Sequence, residues 1–179
     1  AAKQVPEATV IANGDSPLFN SVALPNPRVY FGFDHEEDHE VTPHYNTDGI
    51  LCPECQHVLH YHSNTYANLG KYYCPHCGFK RPDLSYRVTA LEELALTHSR
   101  FAIEGHEYAI PVAGLYNIYN ALAAYSVARE FGVSPEAIEA GFKQLLSRTD
   151  WTAMKTLQDQ LLAYPTQDRL EEAIARVLK

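Results

Sequence analysis

Residues 52–77 read C-P-E-C-Q-H-V-L-H-Y-H-S-N-T-Y-A-N-L-G-K-Y-Y-C-P-H-C, and they contain all four cysteines of this 179-residue chain. The cysteines form two Cys-x-x-Cys pairs with 18 residues between them. Both pairs can bind the same metal ion if the backbone turns tightly, and Pro53 and Pro75 favour such turns. Two pairs supply the four sulfur ligands of a tetrahedral, structural zinc ion. The spacing therefore predicts a zinc ribbon, with short strands at 58–62 and 71–73, whose zinc ligands are Cys52, Cys55, Cys74 and Cys77.

The alternative use of the four cysteines is a pair of disulfides. Nothing at the start of the sequence resembles a secretory signal, and paired Cys-x-x-Cys units suit a metal better than a disulfide scaffold. Four histidines also lie in or beside the ribbon, but four thiolates already complete a tetrahedral shell. We therefore expect surface or packing roles for His57, His60, His62 and His76.

The composition is typical of a soluble globular protein, with 46% hydrophobic and 20% charged residues. No apolar run approaches the length of a membrane span, so we predict no transmembrane segment and a cytoplasmic location. The net charge of −8 argues against broad electrostatic binding of nucleic acid or of an anionic membrane.

A buried strand is predicted at residues 8–13, A-T-V-I-A-N, and it ends in the turn-forming sequence N-G-D-S-P. Ligands gather at such strand ends in open α/β sheets, which makes Asn13, Asp15 and Ser16 candidate site residues. We favour a different interpretation, a capped turn in which Asp15 or Ser16 caps a short helix behind Pro17.

Further strands are predicted on both sides of the ribbon. Residues 28–33 form one before it, residues 85–89 resume an extended pattern after it, and 100–103 and 107–112 flank a glycine-containing hairpin turn. The acidic, histidine-containing segment 34–44 has no regular ligand spacing and is expected to be a connecting loop. The ribbon is therefore predicted to be an insertion in a larger α/β domain.

Helices are predicted for the rest of the chain. One begins in the sequence G-L-Y-N-I-Y-N-A-L-A-A and ends near Gly132, and a second runs from Ser134-Pro135 to about residue 146. Asn117 and Asn120 share one face at the start of the first helix, where they could meet a polar ligand. A simple capping role is the alternative for these asparagines. Residues 149–179 show two further amphipathic patterns.

Three stretches together carry a resemblance to a known family: Y-N-T-D-G-I-L-C-P-E-C (45–55), N-T-Y-A-N-L-G-K-Y-Y-C-P-H-C-G-F-K-R-P-D (64–83) and the asparagine-containing G-L-Y-N-I-Y-N-A-L-A-A (114–124). Over roughly residues 5–147 the sequence resembles Mur ligases that carry a zinc ribbon inside the central ATP-binding domain. The resemblance implies an α/β fold, the second half of that domain, with an inserted four-cysteine zinc ribbon and a helical tail. The domain boundaries it implies are 1–50 with 88–148 for the central domain, 51–87 for the ribbon and 149–179 for the tail.

The resemblance also implies an activity. These ligases use ATP and Mg²⁺ to amidate the α-carboxylate of D-glutamate in the stem peptide of lipid II, giving D-isoglutamine for peptidoglycan, with ammonia from a GatD-type glutaminase partner. By resemblance, Asn120 contacts the adenine and Asn117 supports it. The turn at 13–17 matches an N-x-D-D-P-like turn with Ser16 in place of the second aspartate, and no catalytic role is assigned to it.

Parts of the family pattern do not occur in these 179 residues. There is no G-x-x-G-K-[ST] phosphate loop, and the catalytic residues and Mg²⁺ ligands are not recognisable. We therefore expect this chain by itself to bind ATP very weakly and to be inactive.

Two non-catalytic alternatives stay open. A zinc-ribbon module could bind single-stranded nucleic acid, because cationic side chains (Lys71, Lys80, Arg81, Arg87) interleave with aromatic ones (Tyr61, Tyr66, Tyr72, Tyr73, Phe79). The acidic net charge weighs against it. The chain could also be an assembly protein whose helices dock a partner.

Overall fold

The computed structural model describes residues 5–35 and 51–147. In chain order the elements are β1 (Val10–Asn13), α1 (Pro17–Ser21), β2 (Arg28–Phe33), β3 (His60–Tyr66), β4 (Leu69–Tyr73), β5 (Tyr86–Leu94), β6 (Ser99–Ile103), β7 (His106–Ile110), α2 (Leu115–Glu130) and α3 (Pro135–Ser147). None of the helices within these ranges is long and apolar enough to span a bilayer.

Five of the strands form one sheet in the order β1-β2-β5-β6-β7. β1, β2 and β5 run parallel to one another, whereas β6 and β7 are antiparallel to their neighbours. β3 and β4 form a separate two-stranded antiparallel sheet. Since β2 and β5 are direct neighbours, the chain leaves the main sheet after β2, builds the β3–β4 hairpin and returns beside the strand it left. This is the topology of an insertion in an α/β domain, as the sequence predicts.

The core of the main sheet follows from its strand sequences. In β2 the last four residues, Y-F-G-F, are all buried, as is usual for a parallel strand that is covered on both faces. Phe33, Val88, Phe101 and Ile103 pack against the α2 residues Ile118, Leu122 and Tyr125. Full burial of each such side chain contributes about 1.5–3 kcal/mol. The ribbon has its own small cluster, formed by Leu59, Tyr61, Tyr72, Cys52 and Cys74.

Helix boundaries follow the predicted signals. α2 begins after Gly114, which has a φ of 94°, and its C-terminal turn is followed by Gly132 at a φ of 78°. Ser134 accepts a hydrogen bond from the amide of Ala137 (3.3 Å) and precedes Pro135 at the start of α3. Glycine is favoured at both positive-φ positions because a Cβ would be strained there.

Most predicted elements are confirmed in type, although their ends shift by a few residues. The hairpin strands β3 and β4 are longer than 58–62 and 71–73, and β5 extends to Leu94 rather than residue 89. The predicted tail helices at 149–179 and most of the loop at 34–44 lie outside the described residues. The domain boundaries stay predictions.

Candidate functional site

The four cysteine thiols of the ribbon form one compact cluster. Their sulfur atoms all lie within 4.8 Å of one another, with Cys52 and Cys77 at 3.6 Å and Cys55 and Cys74 at 3.5 Å. A disulfide needs about 2.05 Å. In contrast, four sulfurs at roughly 2.3 Å from a central zinc are separated by about 3.8 Å along the tetrahedron edge. The observed separations therefore suit a tetrahedral metal site rather than two disulfides.

The backbone around each Cys-x-x-Cys pair follows the same pattern. The amide of Gln56 donates to the carbonyl of Cys52 (2.8 Å), and the amide of Gly78 donates to that of Cys74 (3.1 Å). The residue after the second cysteine has positive φ in both pairs, 63° at Gln56 and 79° at Gly78. The two pairs are thus equivalent knuckles that direct their thiols toward one point.

The thiols of the cluster differ in pKa. The His57 amide lowers the pKa of Cys55, but desolvation and the three other thiols raise it to about 12. Desolvation raises the pKa of Cys74, yet the amides of Cys77 and His76 and the neighbouring thiols outweigh it and lower the value to about 6. Backbone amides and neighbouring thiols therefore favour a thiolate at Cys74, whereas Cys55 stays a protonated thiol at neutral pH.

The ribbon histidines do not complete a second metal site. Cys55, His57 and His76 lie within 4.8 Å of one another, but the two imidazole rings are stacked at 3.7 Å and are nearly parallel (7°). Parallel rings direct their nitrogen lone pairs side by side, not toward a shared ion. His62 stacks on Tyr73 at 4.4 Å. These ring contacts, and the exposure of His57 and His76, agree with the predicted surface or packing roles.

Several residues of the nucleic-acid pattern are inside the protein. Tyr61 and Tyr72 have exposed fractions of 0% and 1%, so their rings cannot stack on bases. The Arg81 side chain is 8% exposed and is bound to Asp15 and Asp34. A cavity of about 440 Å³ lies beside the ribbon, lined by residues that include Asp34, His62, Lys71, Lys80 and Arg87. Arg87 in turn faces Asp34 and Glu104, so carboxylates already offset both arginines.

Asp15, a candidate from the sequence, is a buried polar centre rather than a helix cap. Its carboxylate accepts hydrogen bonds from the Phe33 amide (2.8 Å), the Tyr119 hydroxyl (2.8 Å) and the Arg81 guanidinium (3.0 Å). Burial raises the pKa of Asp15 above its usual value, and Arg81 and the two other donors offset only part of that rise. Ser16 occupies the N-cap position of α1, but no side chain caps that helix. The favoured capping interpretation is therefore wrong for both residues.

Asn13 instead stabilises the turn after β1. Its Oδ1 accepts a hydrogen bond from the Asp15 amide at 2.9 Å, which is the usual geometry of an Asx turn. Arg81 and Tyr119 complete the Asp15 cluster, and sequence analysis did not identify either one in this role. Neither carries a local signal, because they are 66 and 104 residues away from Asp15.

The two asparagines of α2 differ in their surroundings. Asn117 donates through Nδ2 to the carbonyl of Ala113 (2.7 Å), which fixes the segment before the helix. Asn120 lies one turn further on and is exposed. Neither is the N-cap, since Gly114 holds that position. The amide of Asn120 can offer one donor and one acceptor group to a ligand.

Comparisons with known proteins agree with this arrangement. The chain is 58% identical over 142 residues to lipid II isoglutaminyl synthase (glutamine-hydrolyzing) subunit MurT of Streptococcus pneumoniae (strain ATCC BAA-255 / R6), covering 79% of this chain and 32% of that protein. It is 31% identical over 139 residues to the same subunit of Staphylococcus aureus (strain COL), and this match covers 77% of this chain and 31% of that protein. The chain thus spans about a third of the length of the curated relatives it matches. No protein-family model matches the sequence.

A solved structure shows the same fold. The structure of a pseudomurein peptide ligase type C from Methanothermus fervidus superposes with a TM-score of 0.59 and 27% sequence identity. The match covers 76% of this chain and 27% of that one. The predicted α/β ligase fold is therefore confirmed.

Proposed function

We propose that this chain, which belongs with the MurT subunits of the Mur ligase family, supplies the zinc ribbon and the adenine-binding helix of a lipid II ligase. The observation that carries the proposal is the 58% identity to a MurT subunit over 79% of the chain. The fold supports it, because the four-cysteine ribbon interrupts the sheet of a ligase-like domain.

The reaction is an ATP-dependent amidation. The substrate is the α-carboxylate of D-glutamate in the lipid II stem peptide, and ammonia comes from a GatD-type glutaminase subunit. The name of the relatives, a glutamine-hydrolysing isoglutaminyl synthase that acts on lipid II, supports this assignment. ATP with Mg²⁺, when bound, supplies the phosphoryl group that activates the carboxylate. The proposal places the protein in the cytoplasm, where ATP and glutamine are available.

A structural zinc ion is held by Cys52, Cys55, Cys74 and Cys77. The sulfur separations of 3.5 and 3.6 Å support a tetrahedral site with four thiolates. Four protein ligands leave no open position for water or substrate, so the zinc supports the fold and takes no part in the chemistry. The other support within the ribbon is the small apolar cluster around Leu59 and Tyr72.

The first turns of α2 form the adenine side of the nucleotide site. Asn117 holds the entry to the helix through the Ala113 carbonyl, and Asn120 projects an exposed amide. An amide pairs with an adenine edge through one donor and one acceptor. No P-loop sequence occurs in these 179 residues, so the phosphates must be bound by other parts of the complete ligase.

The test is an ATP titration of the full-length ligase by calorimetry. Asn120→Ala should weaken ATP binding by roughly 1–3 kcal/mol, the value of one or two hydrogen bonds. Asn64→Ala is the matched control, because Asn64 is in the ribbon and its amide bonds only to the Ala67 carbonyl among the contacts described. Unchanged ATP affinity in Asn120→Ala would show that the adenine lies elsewhere.

A further inference from the structure

We propose that the zinc ribbon braces the turn after β1 and the start of α2 through Arg81 and Asp15, so that zinc holds the nucleotide-binding helix in place. The inference rests on the proposed zinc site and goes beyond the proposed function. It assigns positioning roles to Arg81, Asp15 and Tyr119.

Arg81 belongs to the ribbon through its backbone. Its amide donates to the Tyr72 carbonyl (2.9 Å), and the adjacent Lys80 forms a β-bridge with Tyr73. Tyr73 directly precedes Cys74, and the Cys74 amide donates to the Phe79 carbonyl (2.6 Å). The position of Arg81 is therefore set by the knuckle that carries two of the four thiols.

The guanidinium of Arg81 reaches out of the ribbon into the main domain. It donates to Asp15 Oδ1 (3.0 Å), the Phe33 carbonyl (2.7 Å) and Asp34 Oδ1 (3.1 Å). A second contact comes from the hairpin, where the Gly70 amide donates to the Asp15 carbonyl (3.1 Å). The ribbon thus contacts both the side chain and the backbone of Asp15.

Close packing leaves this connection little freedom. A Cβ at Gly32 would lie 2.6 Å from Asp15 Oδ1, and a Cβ at Gly70 would lie still closer to the Ser63 carbonyl oxygen. Real Cβ atoms do not approach other atoms so closely, so larger residues would displace Asp15 or the hairpin. Glycine at position 32 therefore leaves the space that the Asp15 carboxylate occupies.

Tyr119 extends the connection to α2. Its hydroxyl donates to Asp15 Oδ2 (2.8 Å), and its ring packs on Phe33 with centroids 4.4 Å apart. Burial and the Asp15 carboxylate both raise the pKa of Tyr119, so the hydroxyl stays a donor. Tyr119 directly precedes Asn120, so the Asp15 carboxylate links the ribbon to the turn of α2 that carries both asparagines.

Zinc dependence follows from how the parts are supported. The buried apolar clusters of the ribbon and of the main sheet are separate, and the hairpin contributes only Leu69 to the edge of the main cluster. Without zinc, the Cys-x-x-Cys end of the ribbon therefore retains only its own small cluster. If Arg81 moves, the Asp15 carboxylate stays buried without its cation, which costs free energy. The turn after β1 should therefore loosen, because loosening exposes the carboxylate to water. We expect residues 13–17 and 114–120 to lose protection from hydrogen exchange. β6 and β7 make no such hydrogen bond to the ribbon within residues 5–35 and 51–147, so their protection should not change.

The experiment is hydrogen exchange by mass spectrometry on this 179-residue chain, zinc-loaded and after chelation. Chelation should speed exchange at 13–17 and 114–120 by roughly tenfold or more, as expected when hydrogen bonds to a buried charge are lost. β6 and β7 should be unchanged. In Arg81→Met, residues 13–17 and 114–120 should exchange fast even when zinc is bound, and chelation should increase their exchange rates little further. Arg100→Met is the matched control, because Arg100 pairs with Glu107 on the surface.

Each contrary result overturns the inference. The inference is wrong if exchange at 13–17 is unchanged after chelation has opened the ribbon. It is also wrong if chelation still speeds exchange at both segments of Arg81→Met as much as in the unchanged chain, or if exchange rises equally throughout the main sheet. If Arg81→Met does not fold, Tyr119→Phe decides, and it must speed exchange at both segments with zinc bound. A chain that binds no zinc overturns the zinc site and this inference together, whereas normal zinc content with no coupling overturns only the inference.

Discussion

At the scale of single residues, the Asp15 carboxylate shows what a local sequence pattern can and cannot predict. The pattern N-G-D-S-P indicates a turn and a cap, and the Asx turn at Asn13 bears out the turn. The partners of the carboxylate come from 18, 66 and 104 residues away, and these distances are set by the fold of the whole chain.

Asp15→Asn tests the importance of this carboxylate. The change keeps the shape but leaves the Arg81 guanidinium, 8% exposed, without its buried counter-ion. We expect the free energy of unfolding to fall by about 3–5 kcal/mol, as for other buried pairs that lose one partner. Urea denaturation followed by circular dichroism measures this, and a loss below about 1 kcal/mol, the range of a surface pair, would contradict it.

The two knuckles offer a second comparison between single residues. Gln56 and Gly78 occupy equivalent positive-φ positions, but only one of them is glycine. Gln56→Gly removes strain of about 1–2 kcal/mol and adds a chain-entropy cost of about 0.5–1 kcal/mol, so a net gain of up to about 1.5 kcal/mol in the free energy of unfolding should remain.

Gly78→Ala should have the opposite effect in the same assay. A Cβ there meets no atom within 4 Å, so only backbone strain opposes it, and we expect a loss of about 1 kcal/mol. Thermal denaturation of the zinc-bound chain gives both values. The same sign for the two variants would show that the knuckles are not equivalent.

At the scale of elements, the sequence identifies the ribbon well because a metal site constrains spacing strongly. Two Cys-x-x-Cys pairs predict the cluster, and alternating or apolar runs predict the strands around it. The ends of strands are harder to predict from the sequence. β3 and β4 are longer than predicted because cross-strand pairing, from His60–Tyr73 to Tyr66–Leu69, extends the hairpin beyond its most strand-like residues. Such pairing depends on the partner strand rather than on local propensity.

Zinc binding by the ribbon should release protons. The His57 amide lowers the pKa of Cys55, but desolvation and the neighbouring thiols raise it to about 12. The Phe79 amide lowers the pKa of Cys77, but desolvation and the Cys52 thiol raise it above its usual value. Both are therefore protonated thiols at pH 7 without metal and must become thiolates to bind zinc. At least two protons should be released per zinc, and affinity should rise with pH. Calorimetry in two buffers of different ionisation enthalpy measures the number, and a value near zero would contradict the site.

At the scale of the whole molecule, the described residues form an α/β fold similar to that of a peptide ligase, with the four-cysteine ribbon between two neighbouring strands of its sheet. The fold class and the insertion could be predicted because the strand patterns resume after the ribbon. The sequence could not reveal that the ribbon and α2 share a buried carboxylate, since each element is explained locally without it.

The isolated 179-residue chain should bind ATP very weakly. Adenine contacts alone rarely hold a nucleotide whose phosphates are not bound, and no P-loop sequence is present in these residues. Titration of ATP into the 179-residue chain should give no saturation at micromolar concentrations and no hydrolysis. Micromolar affinity would mean that these residues contain a complete nucleotide site.

The most direct test of the ligase assignment follows nitrogen from glutamine to lipid II. Full-length protein, a GatD-type glutaminase, ATP, Mg²⁺ and glutamine labelled with ¹⁵N in its side-chain amide are incubated with lipid II, and the stem peptide is analysed by mass spectrometry. The account predicts one ¹⁵N-labelled amide on the D-glutamate α-carboxyl, and none when ATP is omitted. Unlabelled stem peptide from a reaction in which the ligase carries zinc and the glutaminase releases ammonia would contradict it.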